Sequence, residues 1–119
     1  MQEEIYDDYV NAFVDVAKGL VVGDPMKGDT DLGPMVSAAQ RAKVADQVEA
    51  AVGAGAELLA GGDLAGNERG HFYAPAVVTG VPSETALLSE ETFGPVAPLV
   101  PVKDLDEAIE LANSTRFGL

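Results

Sequence analysis

Residues 90–96, Glu90-Glu91-Thr92-Phe93-Gly94-Pro95-Val96, are the most informative segment of this chain. Gly94 and Pro95 break the chain direction, and the apolar run that begins at Val96 is typical of a strand. If the backbone before the break is extended, the side chains of Glu91 and Phe93 lie on one side, because they are two residues apart. A carboxylate there can accept both hydrogen bonds of a vicinal diol such as a ribose, while the ring covers the apolar face of the sugar.

A structural interpretation of this segment competes with the binding one. Exposed carboxylates and buried rings are the usual state of these side chains in globular proteins. Phe93 is then a core residue, and Glu90 and Glu91 form a solvated pair before a turn. On these seven residues alone, the structural interpretation is favoured.

The composition limits the classes of protein that need to be considered. With 119 residues, of which 47% are hydrophobic, the chain is one domain or part of one. It carries 20 acidic and 7 basic residues, for a formal net charge of −13. Binding to nucleic acids or to anionic membranes requires clustered Lys and Arg, so the charge argues against both kinds of partner.

The chain contains no cysteine. A disulfide framework, a thiolate metal site and a cysteine nucleophile are therefore excluded within these residues. No apolar run has the length needed to span a bilayer, and the acidic N-terminus does not resemble a signal peptide. By elimination, we expect a soluble cytoplasmic protein.

Helical and strand-like patterns alternate along the chain, which predicts an α/β fold with a layered, mostly parallel sheet and flanking helices. The valines and alanines of the second helix, up to Val52, predict its buried stripe. A glycine- and proline-rich stretch predicts a long ordered loop. The predicted segments are helices at 3–20, 37–52 and 104–113, strands at 57–60, 72–81 and 96–102, a short turn or helical piece at 83–89, and the loop at 21–36.

The start of the second helix has two interpretations. Ser37 and Gln40 fit a capping box, in which the Gln40 side chain reaches back to the start of the helix. Alternatively, Gln40, Lys43 and Gln47 share one polar face opposite the valines, and this face could contact a sugar hydroxyl or a phosphate. Spacing alone favours the capping interpretation.

Other candidate sites fail on spacing. Asp24, Asp29 and Asp31 do not follow the calcium-loop pattern, because Pro34 stands where that loop needs glycine. Turn formation explains these aspartates better, so no metal site is predicted. The single histidine, His71, has no cysteine or second histidine to join it, and no serine has the Gly-x-Ser-x-Gly context of a nucleophile. No catalytic residue is predicted in this chain.

Seven segments, taken in their order along essentially the whole chain, resemble the aldehyde dehydrogenase superfamily. The matching segments are Ile5-Tyr6-Asp7-Asp8, Val22-Gly23-Asp24-Pro25, Asp31-Leu32-Gly33-Pro34, Gly55-Ala56-Glu57-Leu58-Leu59-Ala60-Gly61-Gly62, Phe72-Tyr73-Ala74-Pro75-Ala76-Val77, Glu90-Glu91-Thr92-Phe93-Gly94-Pro95 and Glu107-Ala108-Ile109-Glu110-Leu111-Ala112-Asn113.

The resemblance implies that residues 1–119 are part of an α/β catalytic domain, and it implies a chemistry. In that family a cysteine thiolate attacks an aldehyde, hydride passes to NAD or NADP, and water releases the carboxylic acid. By position, Glu91 resembles the carboxylate that holds the nicotinamide ribose, and Phe93 the aromatic residue beside that ribose. Gln40 and Lys43 match helix positions that approach the ribose.

The family features that are missing indicate a fragment. The nucleophilic cysteine, the Rossmann portion, the general-base glutamate and the oxyanion asparagine have no counterpart in these residues. We therefore expect an incomplete catalytic domain that is inactive alone, from a homo-oligomeric parent acting on a small aldehyde. The threonine at position 92 resembles the residue that the succinate-semialdehyde dehydrogenase branch of the family has there, which implies a parent of that branch. The alternative parent is a broad-specificity or betaine-type aldehyde dehydrogenase.

Two other functions remain open for a chain of this kind. It could be a non-catalytic module that keeps the fold and binds a nucleotide or a partner. It could also be a purely structural piece that self-associates through surfaces that are covered in the parent.

Overall fold

The computed structural model describes residues 1–63 and 70–117 as four α-helices and three strands. None of the helices in these two ranges is long and apolar enough to cross a membrane. A short 3-10 turn at Glu3–Ile5 leads into the first helix. The elements are α1 (Tyr6–Gly19), α2 (Ala38–Gly53), β1 (Glu57–Ala60), β2 (Ala76–Thr79), α3 (Ala86–Ser89), β3 (Val96–Leu99) and α4 (Leu105–Ala112).

The three strands form one sheet in the order β1-β2-β3. β1 runs antiparallel to β2, and β2 runs parallel to β3. The α/β class is confirmed, and the sheet is mixed instead of mostly parallel. The parallel β2–β3 pair places the start of β3 beside the start of β2. The segment before Val96 therefore lies at the same end of the sheet as Pro75.

The β1–β2 ladder contains a bulge. Leu58 pairs with Val78 and Ala60 pairs with Val77, so Leu59 has no partner of its own on β2. An extra residue of this kind increases the local twist and interrupts regular pairing.

The main hydrophobic core lies between α2 and the sheet. Val44, Val48 and Ala51 of α2 pack with Tyr73 and with Val78 of β2, and all five are buried. Val52, which the pattern assigned to the same stripe, is exposed. The helix rotates it away from the sheet, since it follows Ala51 by a single residue.

Two helices begin at side-chain caps, at the predicted Ser37 for α2 and at Asp104 for α4. The Ser37 hydroxyl accepts a hydrogen bond from the Gln40 backbone N–H at 3.1 Å. The Asp104 carboxylate accepts one from the Glu107 N–H at 2.9 Å, and the Glu107 carboxylate accepts one from the Lys103 N–H at 2.7 Å. The bonds from Gln40 and Glu107 satisfy backbone donors that the first helical turn leaves without intrahelical partners, and the bond from Lys103 holds the residue just before the Asp104 cap.

Residues 21–36 form the long ordered loop that the sequence predicts. A parallel bridge joins Val22 to Leu32, and two aspartates stabilise the turns on either side of it. The Asp31 carboxylate accepts from the Val21 N–H at 2.8 Å, and the Asp24 carboxylate accepts from the Met26 N–H at 3.0 Å. These contacts are the turn-forming role that was preferred to metal binding.

The second and third strands are shorter than predicted, because prolines limit the ladder. Regular pairing in β2 begins after Pro75 and in β3 ends at Leu99, two residues before Pro101. Proline lacks the N–H that a ladder needs. Beyond Leu99, the chain from Val100 to Val102 pairs with the N-terminal residues 1–3, and the Glu3 N–H donates to the Val102 carbonyl at 2.9 Å.

Candidate cofactor-contact site

The start of α2 holds the 91–93 backbone through two side chains. The Gln40 amide Nε2 donates to the carbonyl oxygens of Thr92 at 2.9 Å and Phe93 at 3.2 Å. The Lys43 ammonium donates to the carbonyl oxygen of Glu91 at 2.7 Å. We call these three contacts the carbonyl clamp. They bring together all four residues that were predicted to form a cofactor site, across about fifty residues of sequence.

The clamp corrects one expectation about Gln40. Its backbone N–H is capped by Ser37, as a capping box requires. Its side chain, however, points to Thr92 and Phe93 and does not return to the helix start. The reciprocal half of the capping box, a bond from the Gln40 side chain to the Ser37 N–H, does not form, and the amide makes a long-range contact that sequence spacing cannot reveal.

Phe93 adopts a left-handed backbone conformation with φ of 49°, and it is the one non-glycine residue with positive φ in the described ranges. The expectation of an extended backbone is therefore wrong at this residue. The core interpretation of Phe93 is also wrong, because the residue is 75% exposed. Left-handed φ is strained for a bulky residue and persists only where the surroundings impose it. The Gln40 amide on the Phe93 carbonyl is one such restraint.

The two neighbouring glutamates differ in their partners. Glu90 forms an ion pair with Arg116, with 2.9 Å between the carboxylate and guanidinium atoms. No group in residues 1–63 or 70–117 donates a hydrogen bond to the Glu91 carboxylate, and Glu91 is exposed. An ionised carboxylate is an acceptor with about four lone-pair sites. Glu91 can therefore accept two hydroxyl donors without giving up an internal bond.

Gly94 lets the segment lie directly on α2. A Cβ atom at this position would be 2.6 Å from the Val44 Cγ2 atom and 3.2 Å from the Met35 Cε atom. Val44 is fully buried, so it cannot move aside. The absence of a side chain at Gly94 thus sets how closely the segment approaches the helix that carries the clamp.

The segment borders two grooves. An apolar groove of 290 Å³ between α1 and the sheet is lined in part by Gly94 and Pro95. A more open groove of 530 Å³ runs along α2 and includes Lys43. Gly94 lines the first groove, and Lys43, which donates to the Glu91 carbonyl, lines the second, so the segment lies next to two concave surfaces of the kind at which small molecules bind.

Two residues that contribute to this region were not identified correctly from the sequence. Arg116 lies 26 residues from Glu90, and no local pattern links them. Gln47 was placed on the polar face with Gln40 and Lys43, but it is buried. Gln47 directly precedes Val48 and lies at the side of the buried stripe of α2. A buried stripe more than 100° wide includes a residue at that position, so the sequence could have indicated that Gln47 is buried.

Comparison with known proteins identifies the family. The whole chain, residues 1–119, matches the profile of the aldehyde dehydrogenase family, and the chain belongs to that family. It is 48% identical over 116 residues to a succinate-semialdehyde dehydrogenase [NADP(+)] of Mycobacterium avium, covering 98% of this chain and 24% of that protein. A Mycobacterium tuberculosis succinate-semialdehyde dehydrogenase [NADP(+)] 1 is 47% identical, with 25% of its length covered.

Solved structures show the same fold. The NAD+ complex of an aldehyde dehydrogenase from Bacillus cereus superposes with a TM-score of 0.93 at 36% identity, over 99% of this chain and 24% of that one. Betaine aldehyde dehydrogenase from Staphylococcus aureus in complex with NAD+ gives a TM-score of 0.93 at 31% identity. The chain spans about a quarter of the length of the relatives it matches.

Proposed function

We propose that this chain is the part of an NAD(P)-dependent aldehyde dehydrogenase that contacts the nicotinamide ribose. Glu91 accepts hydrogen bonds from the two ribose hydroxyls, and the Phe93 ring packs beside the sugar. Gln40 and Lys43 position both residues by holding the backbone between them. The observation that carries the proposal is the carbonyl clamp, because it uses the polar side chains of α2 on backbone carbonyls and leaves the Glu91 carboxylate unengaged.

The residues present are chemically suited to a dinucleotide. A ribose offers two adjacent O–H donors and an apolar face, and Glu91 and Phe93 offer an acceptor and a ring on one short segment. When bound, NAD or NADP supplies the acceptor for the hydride of the aldehyde. The names of the mycobacterial relatives support NADP, and the Bacillus cereus complex supports NAD.

The activity of the parent protein is proposed from its relatives. It oxidises an aldehyde to a carboxylic acid, and the relatives' names support succinate semialdehyde as the substrate. We propose that residues 1–119 are part of its catalytic domain, that the reactive cysteine and the Rossmann portion lie outside them, and that the parent is a cytoplasmic homo-oligomer. Since these residues include no cysteine, we expect the chain alone to oxidise no aldehyde.

Titration of the 119-residue chain with NAD and NADP, followed by amide NMR shifts, tests the binding role directly. Much of the dinucleotide has no partner on this chain, so we expect a dissociation constant near or above about 1 mM and no resolvable heat in calorimetry. Shifts should concentrate at residues 40–43 and 90–94. Glu91→Gln should abolish them, whereas the matched Glu90→Gln control should retain them because Glu90 is occupied by Arg116. Shifts that are absent, or that survive Glu91→Gln, would contradict the proposal.

The clamp has its own test. Gln40→Glu places a carboxylate opposite two carbonyl oxygens, so we expect a loss of about 1 to 2 kcal/mol in the free energy of unfolding. Helix electrostatics predicts the opposite sign, since an acidic residue in the first turn stabilises a helix. Ala38→Glu adds the same charge to that turn without facing the carbonyls, and it should be neutral or stabilising.

In the full-length enzyme, Glu91→Gln should raise the KM for the cofactor by about 10- to 100-fold, because a hydrogen bond to a charged group is lost. Glu90→Gln is again the control. A parent reading frame with no cysteine codon upstream of residue 1 would remove the enzymatic function but would leave the ribose-binding test intact.

A further inference from the structure

An ion pair joins the residue before Glu91 to the segment that follows α4. The Arg116 guanidinium donates a hydrogen bond to the Glu90 carboxylate at 2.9 Å. The same guanidinium lies over the Phe117 ring, with 5.0 Å between its Cζ atom and the ring centroid. Arginine keeps its charge at every pH of interest, so the Glu90 carboxylate has a cationic partner wherever it is ionised.

The turn after α4 brings Arg116 to this position. The Asn113 amide and the Ser114 hydroxyl each donate to a carbonyl oxygen in the last turn of α4, at 2.9 and 2.7 Å. These bonds satisfy carbonyls that the end of a helix leaves without intrahelical partners. Ser114 and Thr115 then line a cavity of about 230 Å³ together with Ser89. The ion pair therefore links two segments that border the same cavity.

The ion pair is expected to add little to the stability of the fold, because both side chains are accessible to water. The Arg116 side chain is 69% exposed and that of Glu90 is 47% exposed. Ion pairs at such exposure have measured contributions close to zero. An uncompensated carboxylate in this position would nevertheless act on any ligand that carries charge of its own.

Charge is balanced at residues 90–93, although the whole chain has a net charge of −13. Glu90 and Glu91 bring two negative charges. Arg116 on the Glu90 carboxylate and Lys43 on the Glu91 carbonyl bring two positive ones. The nicotinamide ribose of a dinucleotide is joined to a pyrophosphate, which is an anion. A segment with excess negative charge would repel that anion.

Glu90 is not placed to bind the ribose itself. Its backbone is extended, with φ of −118° and ψ of 154°. Successive side chains of an extended backbone point to opposite sides, so Glu90 and Glu91 do not face the same diol. The charge of Glu90 still reaches a ligand on Glu91 at low salt, since the screening length at 0.01 M is about 30 Å.

We infer that Arg116 neutralises Glu90 and thereby allows an anionic dinucleotide to approach Glu91. Arg116 is a positioning residue in this role, because it acts through Glu90 and needs no contact with the sugar. The inference rests on the proposed ribose contact of Glu91. It adds to that contact a residue that sets the electrostatic selectivity of the site.

Titration of the 119-residue chain with NAD at about 0.01 M salt tests the role of Arg116. Arg116→Gln leaves Glu90 uncompensated, so the initial slope of the amide NMR shifts at residues 40–43 and 91–94 should fall about threefold. The Tm should stay within about 2 °C of the parent. Arg116→Lys keeps the charge and should retain the slope.

The second exposed ion pair of the described residues supplies a matched control. Lys27→Gln breaks the Asp24–Lys27 pair in the 21–36 loop and makes the same change in net charge. It should change the NAD slope by less than about 1.5-fold, because the uncompensated carboxylate is then not on the residue next to Glu91. Circular dichroism verifies that every variant folds.

Two further measurements separate charge from geometry. The double variant Glu90→Gln/Arg116→Gln removes both charges and should titrate like the parent. At about 1 M salt the screening length is about 3 Å, so the single variant Arg116→Gln should then match the parent too. A distorted binding segment would keep its defect in both experiments.

Nicotinamide riboside gives a test of opposite sign. It has the same diol, a cationic ring and no phosphate. The uncompensated Glu90 of Arg116→Gln attracts a cation, so the riboside slope should be unchanged or larger than in the parent. A riboside slope that falls as much as the NAD slope would show that Arg116 acts on the geometry of Glu91.

That riboside result would overturn the inference, and so would any of three results with NAD. They are an Arg116→Gln slope equal to the parent at low salt, a defect that persists at about 1 M salt, and a defect that persists in the double variant. Failure of the proposed function looks different. In that case the parent chain shows no shifts, or its shifts survive Glu91→Gln, whatever residue stands at position 116.

Discussion

At the scale of single residues, the site depends on Phe93, which combines an exposed ring with a left-handed backbone. Burial cannot account for an aromatic side chain in this state. The left-handed conformation of Phe93 turns the chain before Gly94, and the Gln40 amide donates a hydrogen bond to the Phe93 carbonyl. Such strain at an exposed residue is typical of functional sites.

The backbone of Phe93 leads to a prediction about stability. Asparagine tolerates left-handed φ and β-branched residues do not. We expect Phe93→Asn to be as stable as the parent or up to about 1 kcal/mol more stable, and Phe93→Val to be less stable by about 1 to 2 kcal/mol. Urea unfolding of both variants measures the difference, and equal stabilities would contradict the assigned conformation.

Tyr73 gives a pH-dependent prediction. Burial, followed by the neighbouring charges of Asp63 and Glu49, raises the pKa of its phenol above 10.0. Above pH 10 the unfolded state therefore loses the Tyr73 proton while the folded state retains it, so the free energy of unfolding falls as pH rises. Tyr73→Phe should flatten this decline above pH 10, as followed by urea unfolding at a series of alkaline pH values.

The same substitution also tests the phenol oxygen, which has no hydrogen-bond partner in the described residues. Removing an unpartnered buried hydroxyl is expected to be neutral or stabilising at pH 7. Tyr9→Phe, at an exposed position, is the control for both measurements. A loss of stability at pH 7, or an unchanged alkaline decline, would argue against this environment.

At the scale of elements, the contact between α2 and the 91–94 segment is set by Gly94 against Val44. Gly94→Ala should cost about 1 to 3 kcal/mol, because the added methyl overlaps a side chain that cannot move. Combined with Val44→Ala it should cost less than the sum of the two single variants, since the second change makes room.

Gly53→Ala is a suitable control for that experiment. Gly53 ends α2 with nothing within 4 Å of the added Cβ atom. Alanine has the higher helix propensity, so this variant should be neutral or stabilising. Additivity of Gly94→Ala and Val44→Ala in chemical unfolding would show that the two residues do not touch.

The elements also show how far the sequence could be interpreted. α2, β1 and α4 were predicted within a residue or two, because Ser37, Asp104 and the flanking glycines mark their ends by local chemistry. Strands beside Pro75 and Pro101 were predicted too long, since only pairing with a neighbour shows where a ladder stops.

Within the site, the grouping of Gln40, Lys43, Glu91 and Phe93 was available from the family resemblance, and the manner of their contact was not. Side-chain bonds to backbone carbonyls across about fifty residues, the φ of Phe93 and the burial of Gln47 are properties of tertiary packing. No local periodicity encodes them. The cofactor role itself stays a prediction until the titration is performed.

At the scale of the whole molecule, the net charge of −13 on 119 residues opposes compaction. The two ion pairs of the described residues, Asp24–Lys27 and Glu90–Arg116, are exposed and do little to offset this repulsion.

Stability should therefore depend on ionic strength. Between about 0.01 and 0.15 M salt the screening length falls from about 30 to 8 Å, so we expect the Tm to rise by a few degrees. A variant with Glu3, Asp15, Glu57 and Glu110 replaced by lysine should show a smaller rise. A Tm that is independent of salt in the parent would show that charge repulsion is not important.

The bulge at Leu59 bears on how the protein behaves in concentrated solution. In the described residues β1 is an outer strand, and an unbroken outer strand can template the addition of identical chains into amyloid-like fibrils. The irregular residue twists β1 after two regular pairs, leaving too short a flat stretch for a cross-β stack to grow. This irregularity therefore protects the chain from polymerising through β1.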